Sequence, residues 1–318
     1  MSTLKHSYSF DPTYNYTLED LQAIMPPIEP ADFTEFWQRR YAHALQIHPR
    51  PRISHTGTSH QNFEIYDLSY QSTEDFTIGG WLLISKPAPI RRGIVVGHGY
   101  GGREAPDLDL PVTEAAFLFP CFRGLSRSRR PPISDRPEYH ILHDLDKRDR
   151  YILGGCVADL WLAVSALLTL FPWLAGHIGY MGISFGGGIG ALALPWDSRI
   201  QRAHLNVPTF GHQPLRLTLP TTGSAHAVQG FQQQHGHILA TLAYYDAAIA
   251  AKYIRIPVHV AAARFDPVVA PPCQFAIYNA LSGPKSLFVL EAGHFHYPNN
   301  AAREQDLRAE LSAFFAKL

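Results

Sequence analysis

The stretch Gly179–Gly188, "GYMGISFGGG", limits what this chain can fold into more than any other. An apolar run ends on Ser184, Gly182 and Gly186 stand two positions to either side, and a run of small residues, "FGGGIGALAL", follows at once. The run before the serine suits a buried strand, and the residues after it suit a helix. Passing from strand to helix so abruptly demands a sharp turn, and glycine leaves room for it. Gly187 and Gly188 would let the helix pack close to a sheet. A helix starting there also aims its free N–H groups at the serine. Gly-x-Ser-x-Gly alone is a cheap pattern, so its weight comes from the strand before it and the helix after it. The competing reading is a structural turn that happens to carry a serine.

The rest of the chain supplies the sheet that such a turn needs. Strands are expected at "NFEIYDLSY" (62–70), "IGGWLLIS" (78–85), "RGIVVGHGYGG" (92–102), "AAFLFPCF" (115–122), "HIGYMGIS" (177–184), "PVHVAAARFD" (257–266) and "SLFVLEAGH" (286–294). Helices are expected at 151–171, 185–194, near 272–281 and in the closing "NNAAREQDLRAELSAFFAKL". Asp32 opens an earlier helix with the apolar stripe Phe33, Phe36, Trp37, Tyr41, Ala44 and Leu45; Glu35 completes a capping box, and Pro49 and Pro51 end the run. Strands alternating with helices predict an α/β fold: a mostly parallel sheet, helices on both faces and an antiparallel start. Residues 1–30 read as an extended arm laid over the domain. Residues 206–240, rich in Pro, Gly, Gln and His, read as an insertion over the carboxyl edge of the sheet. No internal repeat or low-complexity linker divides the chain, so one domain over 1–318 is expected.

A serine is a poor nucleophile at neutral pH without a base, and the base needs an orienting carboxylate. In the strand–turn–helix setting the order along the chain is serine, acid, histidine, each just past a strand. Asp266 follows "PVHVAAARF" and His294 follows "SLFVLEAG", so both stand where the order requires. The other readings are a turn aspartate before Pro267 and a loop histidine among 17 histidines. Asp246 is the rival acid, inside a helical run, and His296 reads as structural. An oxyanion needs two backbone donors. Phe185, next after the serine, offers one. Tyr100, in the loop Gly99–Gly102, offers the other, since the glycines around it let backbone approach a substrate.

These motifs together resemble the acetylxylan esterase/cephalosporin C deacetylase family of α/β-hydrolases. "GHGYGG" is similar to the family's oxyanion loop, "GISFGGG" to its nucleophile motif, "DPVVAPP" and the later "GH" to its acid and base, and "YYDAAIAAKYIRIPV" to its run into the acid strand. The resemblance extends from "DFTEFW" to the last helix. It implies deacetylation of small acetylated sugars or similar esters, no cofactor, and a homo-oligomer, commonly a hexamer, with the active sites facing a central cavity. Three residues depart from the family pattern: Leu125 and Phe185 stand where it usually has Gln, and Phe295 where it usually has Glu. The alternatives are a peptidase or a lactone or thioester hydrolase on the same fold, and a degenerate binding protein suggested by Leu125 and Phe295. No propeller-like repeats precede the domain, which argues against a large oligopeptidase.

Other function classes are excluded by simpler features. Lys+Arg and Asp+Glu balance at 27 each, so no basic field draws the protein to nucleic acid. The longest apolar run, 160–175, is shorter than the roughly 20 residues of a membrane span and reads as a buried crossover helix. The first residues lack the apolar core of a signal peptide. Cys121, Cys156 and Cys273 form no disulfide or zinc pattern, which points to a reducing cytoplasm. His235 and His237, like His294 and His296, have the spacing of metal pairs but no carboxylate set beside them, so no metal is expected. The arginine-rich run 122–136 reads as a solvated loop or as partners for Asp144, Asp146 and Asp149, with an acidic substrate as the other reading.

Overall fold

The computed structural model describes residues 4–86 and 89–318. Nine strands form one sheet: β1 (Arg52–Ser59), β2 (Phe63–Gln71), β3 (Thr77–Ser85), β4 (Arg92–Gly97), β5 (Ala115–Pro120), β6 (Ile178–Ile183), β7 (Ile200–Asn206), β8 (Val258–Ala263) and β9 (Lys285–Leu290). Their spatial order is β1-β2-β3-β5-β4-β6-β7-β8-β9. The β1–β2, β2–β3 and β3–β5 pairs are antiparallel, and every pair from β5 to β9 is parallel. The expected α/β-hydrolase fold, with its antiparallel start, is the observed one.

The helices are α1 (Leu18–Gln22), α2 (Phe33–Leu45), α3 (Pro137–His140), α4 (Ile152–Leu170), α5 (Phe185–Ala193) and α6 (Gln213–Arg216). They continue with α7 (Ala225–His235), α8 (Leu239–Leu242), α9 (Ala247–Ala251), α10 (Pro271–Ala280) and α11 (Asn300–Phe315). Side chains on a strand alternate between faces, and the two cores follow that alternation. Leu82, Val95 and Leu118 pack with α2, α4, α5, α9 and α10 on one side. Leu83, Ile94, Val96, Phe117 and Phe119 face the other side, where Leu307, Leu311 and Phe315 of α11 lie. Helix α4 is apolar and long enough to cross a membrane by composition alone, and 83% of its apolar window is buried inside the protein.

Several expectations needed correction. β1 and β7 were not foreseen. The aliphatic run of β4 ends at Gly97, and the glycine loop expected after it follows at 98–102. The arm contains α1, whose Thr17 and Asp20 form a reciprocal capping box. Asp32 does stand at the N-cap of α2, but its carboxylate makes no cap bond; it takes the hydroxyl of Tyr244 and an ion pair with Arg148 instead. Residues 207–246 carry α6, α7 and α8 between β7 and α9.

The arginine-rich run pairs with acids other than those expected. Arg127 meets Asp67, Arg129 meets Asp135 and Arg136 meets Glu138. Asp144 goes to Lys147 and Arg150. Arg123 is fully buried. It grips Asp159 of α4 at 2.7 Å, Thr73 Oγ1 at 2.8 Å and Glu74 at 3.1 Å. Asp159 also accepts from the Ser72 hydroxyl at 2.6 Å and the Arg123 backbone N–H at 3.0 Å. This buried cluster ties the β2–β3 turn and the loop after β5 to α4. Removing one partner strands a buried charge. Asp159→Ala should therefore lower unfolding stability by about 3–5 kcal/mol in urea titration. The double variant Arg123→Met/Asp159→Leu should recover much of that loss, because it leaves no buried charge behind, Glu74 being exposed.

Candidate active site

The site lies beyond the carboxyl ends of β4, β6, β8 and β9, where an open α/β sheet gathers its loops. Ser184 sits between β6 and α5 with φ 53° and ψ −110°, a conformation that disfavours side chains. Close packing holds it there. A Cβ on Gly186 would stand 2.7 Å from the Gly97 carbonyl carbon, and one on Gly182 would stand 2.6 Å from Gly186 backbone. The Gly186 N–H donates to His98 O at 2.9 Å, and the Tyr180 hydroxyl donates to Gly186 O at 2.6 Å. Strand β6 is thereby bound to β4 through the turn itself.

The structure brings Ser184, His294 and Asp266 together. His294 Nδ1 lies 2.8 Å from Asp266 Oδ2, and its Nε2 lies 2.9 Å from Ser184 Oγ. Asp266 is fully buried, so Nδ1 carries the proton and Nε2 is left to accept from the serine hydroxyl. The carboxylate is held from all sides: Oδ1 accepts from the N–H groups of Val268 and Val269, each at 2.9 Å, and Oδ2 also accepts from Gln274 Nε2 at 2.9 Å. The Asp266 N–H donates to Pro12 O of the arm at 3.0 Å. Asp246, the rival acid, is elsewhere: it caps α9 and receives the N–H groups of His212, Gln213, Ala248 and Ile249. His296 is exposed and takes no part in the chain of bonds.

The two expected backbone donors, Tyr100 and Phe185, stand on the loop after β4 and at the start of α5. Neither the Tyr100 nor the Phe185 N–H donates a hydrogen bond among the described residues. Both residues are fixed by their side chains. The Tyr100 hydroxyl donates to His140 Nδ1 at 2.9 Å, and its ring lies 4.3 Å from that of Phe185. His140 Nε2 donates to Arg123 O at 2.9 Å. His98 accepts the Phe122 N–H on Nε2 at 3.0 Å and donates from Nδ1 to Gly99 O at 2.7 Å. Burial pushes His98 down to about 3 and His140 down to about 4, so both rings stay neutral and hold their tautomers. Ser184 and His294 open onto a cleft of about 610 Å³, lined also by Tyr100, Glu138, Arg216 and residues 222–227.

The sequence reading missed His98, His140 and Gln274. His98 alone carried a local signal, its place directly after a strand inside the glycine loop. His140 reaches the site from a distant helix, and Gln274 from the first turns of α10, eight residues after Asp266.

The family model described as acetyl xylan esterase matches residues 12–310. The chain belongs to this family. It is 23% identical over 150 residues to the acetyl esterase Axe7A of Xylanibacter ruminicola, which is 47% of this chain. The match spans about a third of that relative's length, 34%. In fold it is similar to the acetyl xylan esterase of Paenibacillus sp. R4, with TM-score 0.79, 22% identity and coverage of 93% of this chain and 99% of that one. Acetyl xylan esterase 1 of Thermoanaerobacterium sp. JW/SL YS485 gives TM-score 0.79, 18% identity and 95% and 99% coverage. An acylaminoacyl peptidase of Pyrococcus horikoshii gives TM-score 0.64 and 14% identity over 80% of this chain and 42% of that one.

The departures from the family pattern have apolar explanations. Leu125 is buried in the main core. Phe185 is walled by Tyr100, Phe122 and Phe210. Phe295 packs on Phe265 at 5.0 Å and on Tyr8 of the arm at 6.2 Å, so it helps seat the arm beside Asp266.

Buried neutral histidines also set an acid limit on this family member. His98 and His204 are held down to about 3 and His140 to about 4, each by burial first. In the unfolded chain such rings take up protons near pH 6.5. Between about pH 6.5 and 4 the unfolded state therefore binds more protons, and stability falls as pH falls. The urea midpoint should drop through that window, by up to about 1.4 kcal/mol per pH unit for each ring. His204→Gln should lessen the slope.

Proposed function

We propose that the protein is a serine carboxylic-ester hydrolase that removes acetyl groups from acetylated sugars such as those of xylan. The observation that carries this reading is the Asp266–His294–Ser184 chain, opening onto a cleft in a member of the acetyl xylan esterase family. Ser184 Oγ attacks the acetyl carbonyl while His294 Nε2 takes its proton. Asp266 keeps His294 in the tautomer that can accept and stabilises the imidazolium that forms. The N–H groups of Tyr100 and Phe185 receive the developing oxyanion. His294 then protonates the departing sugar oxygen, which leaves as the free hydroxyl, and water removes the acetyl group from Ser184 by the same steps in reverse. The reading includes a homo-oligomer working in a reducing cytoplasm, in keeping with three free, buried cysteines and with exposed Ile28 and Trp173.

Ser184→Ala should lower kcat on a chromogenic acetyl ester by on the order of 10⁴–10⁶ with the melting curve unchanged. A folded variant keeping a tenth of the activity would contradict the assignment. Covalent labelling by a fluorophosphonate should go with Ser184 and be lost in the variant. No labelling of the wild type would favour a binding protein, and faster turnover of acylated amino-acid amides than of acetyl esters would favour a peptidase.

Tyr100 separates backbone from side chain. Its hydroxyl is committed to His140, so Tyr100→Phe should keep most of kcat. The variant leaves buried His140 Nδ1 unpaired and should lose about 1–3 kcal/mol of stability. A large fall in kcat without a fall in stability would move the hydroxyl into the chemistry.

A further inference from the structure

Arg216 is the last residue of α6 and lines the same cleft as Ser184 and His294. It is 6% exposed. A buried guanidinium ordinarily meets a carboxylate, as Arg123 does here, because an unpaired buried charge is costly. Arg216 makes no ion pair among the described residues. One of its five donors reaches Gln213 Oε1 at 3.3 Å, and its carbon end lies 5.4 Å from the ring centre of Phe210. The ionisable groups it feels are Tyr151, Cys273, Tyr100 and Asp246. Burial raises both tyrosines and pushes Cys273 up to about 12, so these three are neutral. Asp246 spends its oxygens on four backbone N–H groups. Burial accordingly lowers Arg216 itself. The carboxylate in the cleft lining, Glu138, is held by Arg136 and is 42% exposed.

The arginine is also fixed in place. Its carbonyl accepts Gln229 Nε2 at 3.0 Å, and its N–H donates to His212 O at 2.9 Å. Asp246 anchors the start of α6 through the N–H groups of His212 and Gln213. The cleft thus holds a positioned guanidinium that no carboxylate pairs with directly among the described residues.

We infer that Arg216 is a specificity residue that binds a carboxylate on the alcohol portion of the substrate, so that the preferred substrates are acetyl esters of hydroxy acids, sugar acids among them. This rests on the acetyl-esterase reading, because an acetyl group has no room for a second charged group and the anion must then lie on the leaving alcohol. A planar guanidinium with free N–H groups suits a carboxylate better than a neutral hydroxyl.

The test compares 3-acetoxybenzoate with 3-acetoxybenzamide, its neutral counterpart, by kcat/KM. The wild type should prefer the anion by about tenfold to a hundredfold, the usual worth of a hydrogen-bonded charge. That ratio should fall to about one in Arg216→Met and be partly restored in Arg216→Lys. Equal wild-type rates on the two esters would overturn the proposal without any variant. So would an unchanged ratio in a folded Arg216→Met. A preference instead for monophenyl glutarate over the phenyl ester of its half-amide would put the anion on the acyl side and overturn the assignment. Failure of the esterase reading looks different: neither acetoxy ester would be cleaved and Ser184 would not label.

Discussion

The arrangement of the site depends on one backbone conformation, that of Ser184 at φ 53° and ψ −110°. Such a conformation costs on the order of 1–3 kcal/mol and persists only where surrounding contacts enforce it. Here they come from both neighbouring strands. The Ser184 N–H donates to Asn206 O of β7 at 2.8 Å, and its carbonyl accepts from Gly188 at 3.0 Å and Thr209 at 3.1 Å. On the other side, Gly186 approaches β4 so closely that no side chain fits. A Cβ on Gly99 would stand 4.0 Å from Ser184 Cβ, so the loop after β4 lies directly over the serine. The strained turn thus fixes the direction of the Ser184 side chain and sets the 99–101 backbone beside it at the cleft.

Around that turn, buried polar side chains serve position. His98 and His140 are neutral and each bridges two groups of the loops that hold Tyr100. Gln274 and two backbone N–H groups orient Asp266. The N-terminal arm supports the acid loop through Pro12 and through the aromatic contacts of Tyr8 with Phe295. These bonds leave Ser184 and His294 lining the cleft beside Tyr100. Preorganisation of this kind means that few groups need to move during reaction.

Much of this was legible because the strongest signals are local. Strands β4, β6, β8 and β9 are short, mostly apolar runs, and Asp266 and His294 follow β8 and β9 within four residues. What failed was less local. β7, "IQRAHLN", contains Arg202 and His204, and its buried His204 stands 3.1 Å from His259 of β8, a polar pair that reads as non-strand. β1, "RISHTGTS", is an edge strand largely open to solvent, so no apolar alternation marks it. The capping signature at Asp32 and Glu35 was overridden by Tyr244 and Arg148, which arrive from distant sequence. Arg216 was invisible for the same reason: its meaning comes from having no ion-pair partner among the described residues, and spacing along the chain carries no trace of that.

The central claim is that Ser184 carries the acyl group between the two halves of the reaction. The most direct measurement is a rapid acid quench during turnover of an acetyl ester, followed by peptide mapping by mass spectrometry. The account predicts one acetyl group on the peptide containing Ser184, formed within a burst of alcohol release and gone after substrate is exhausted. Full turnover with no acetylated peptide at any time, or with the acetyl group on another residue, would contradict it.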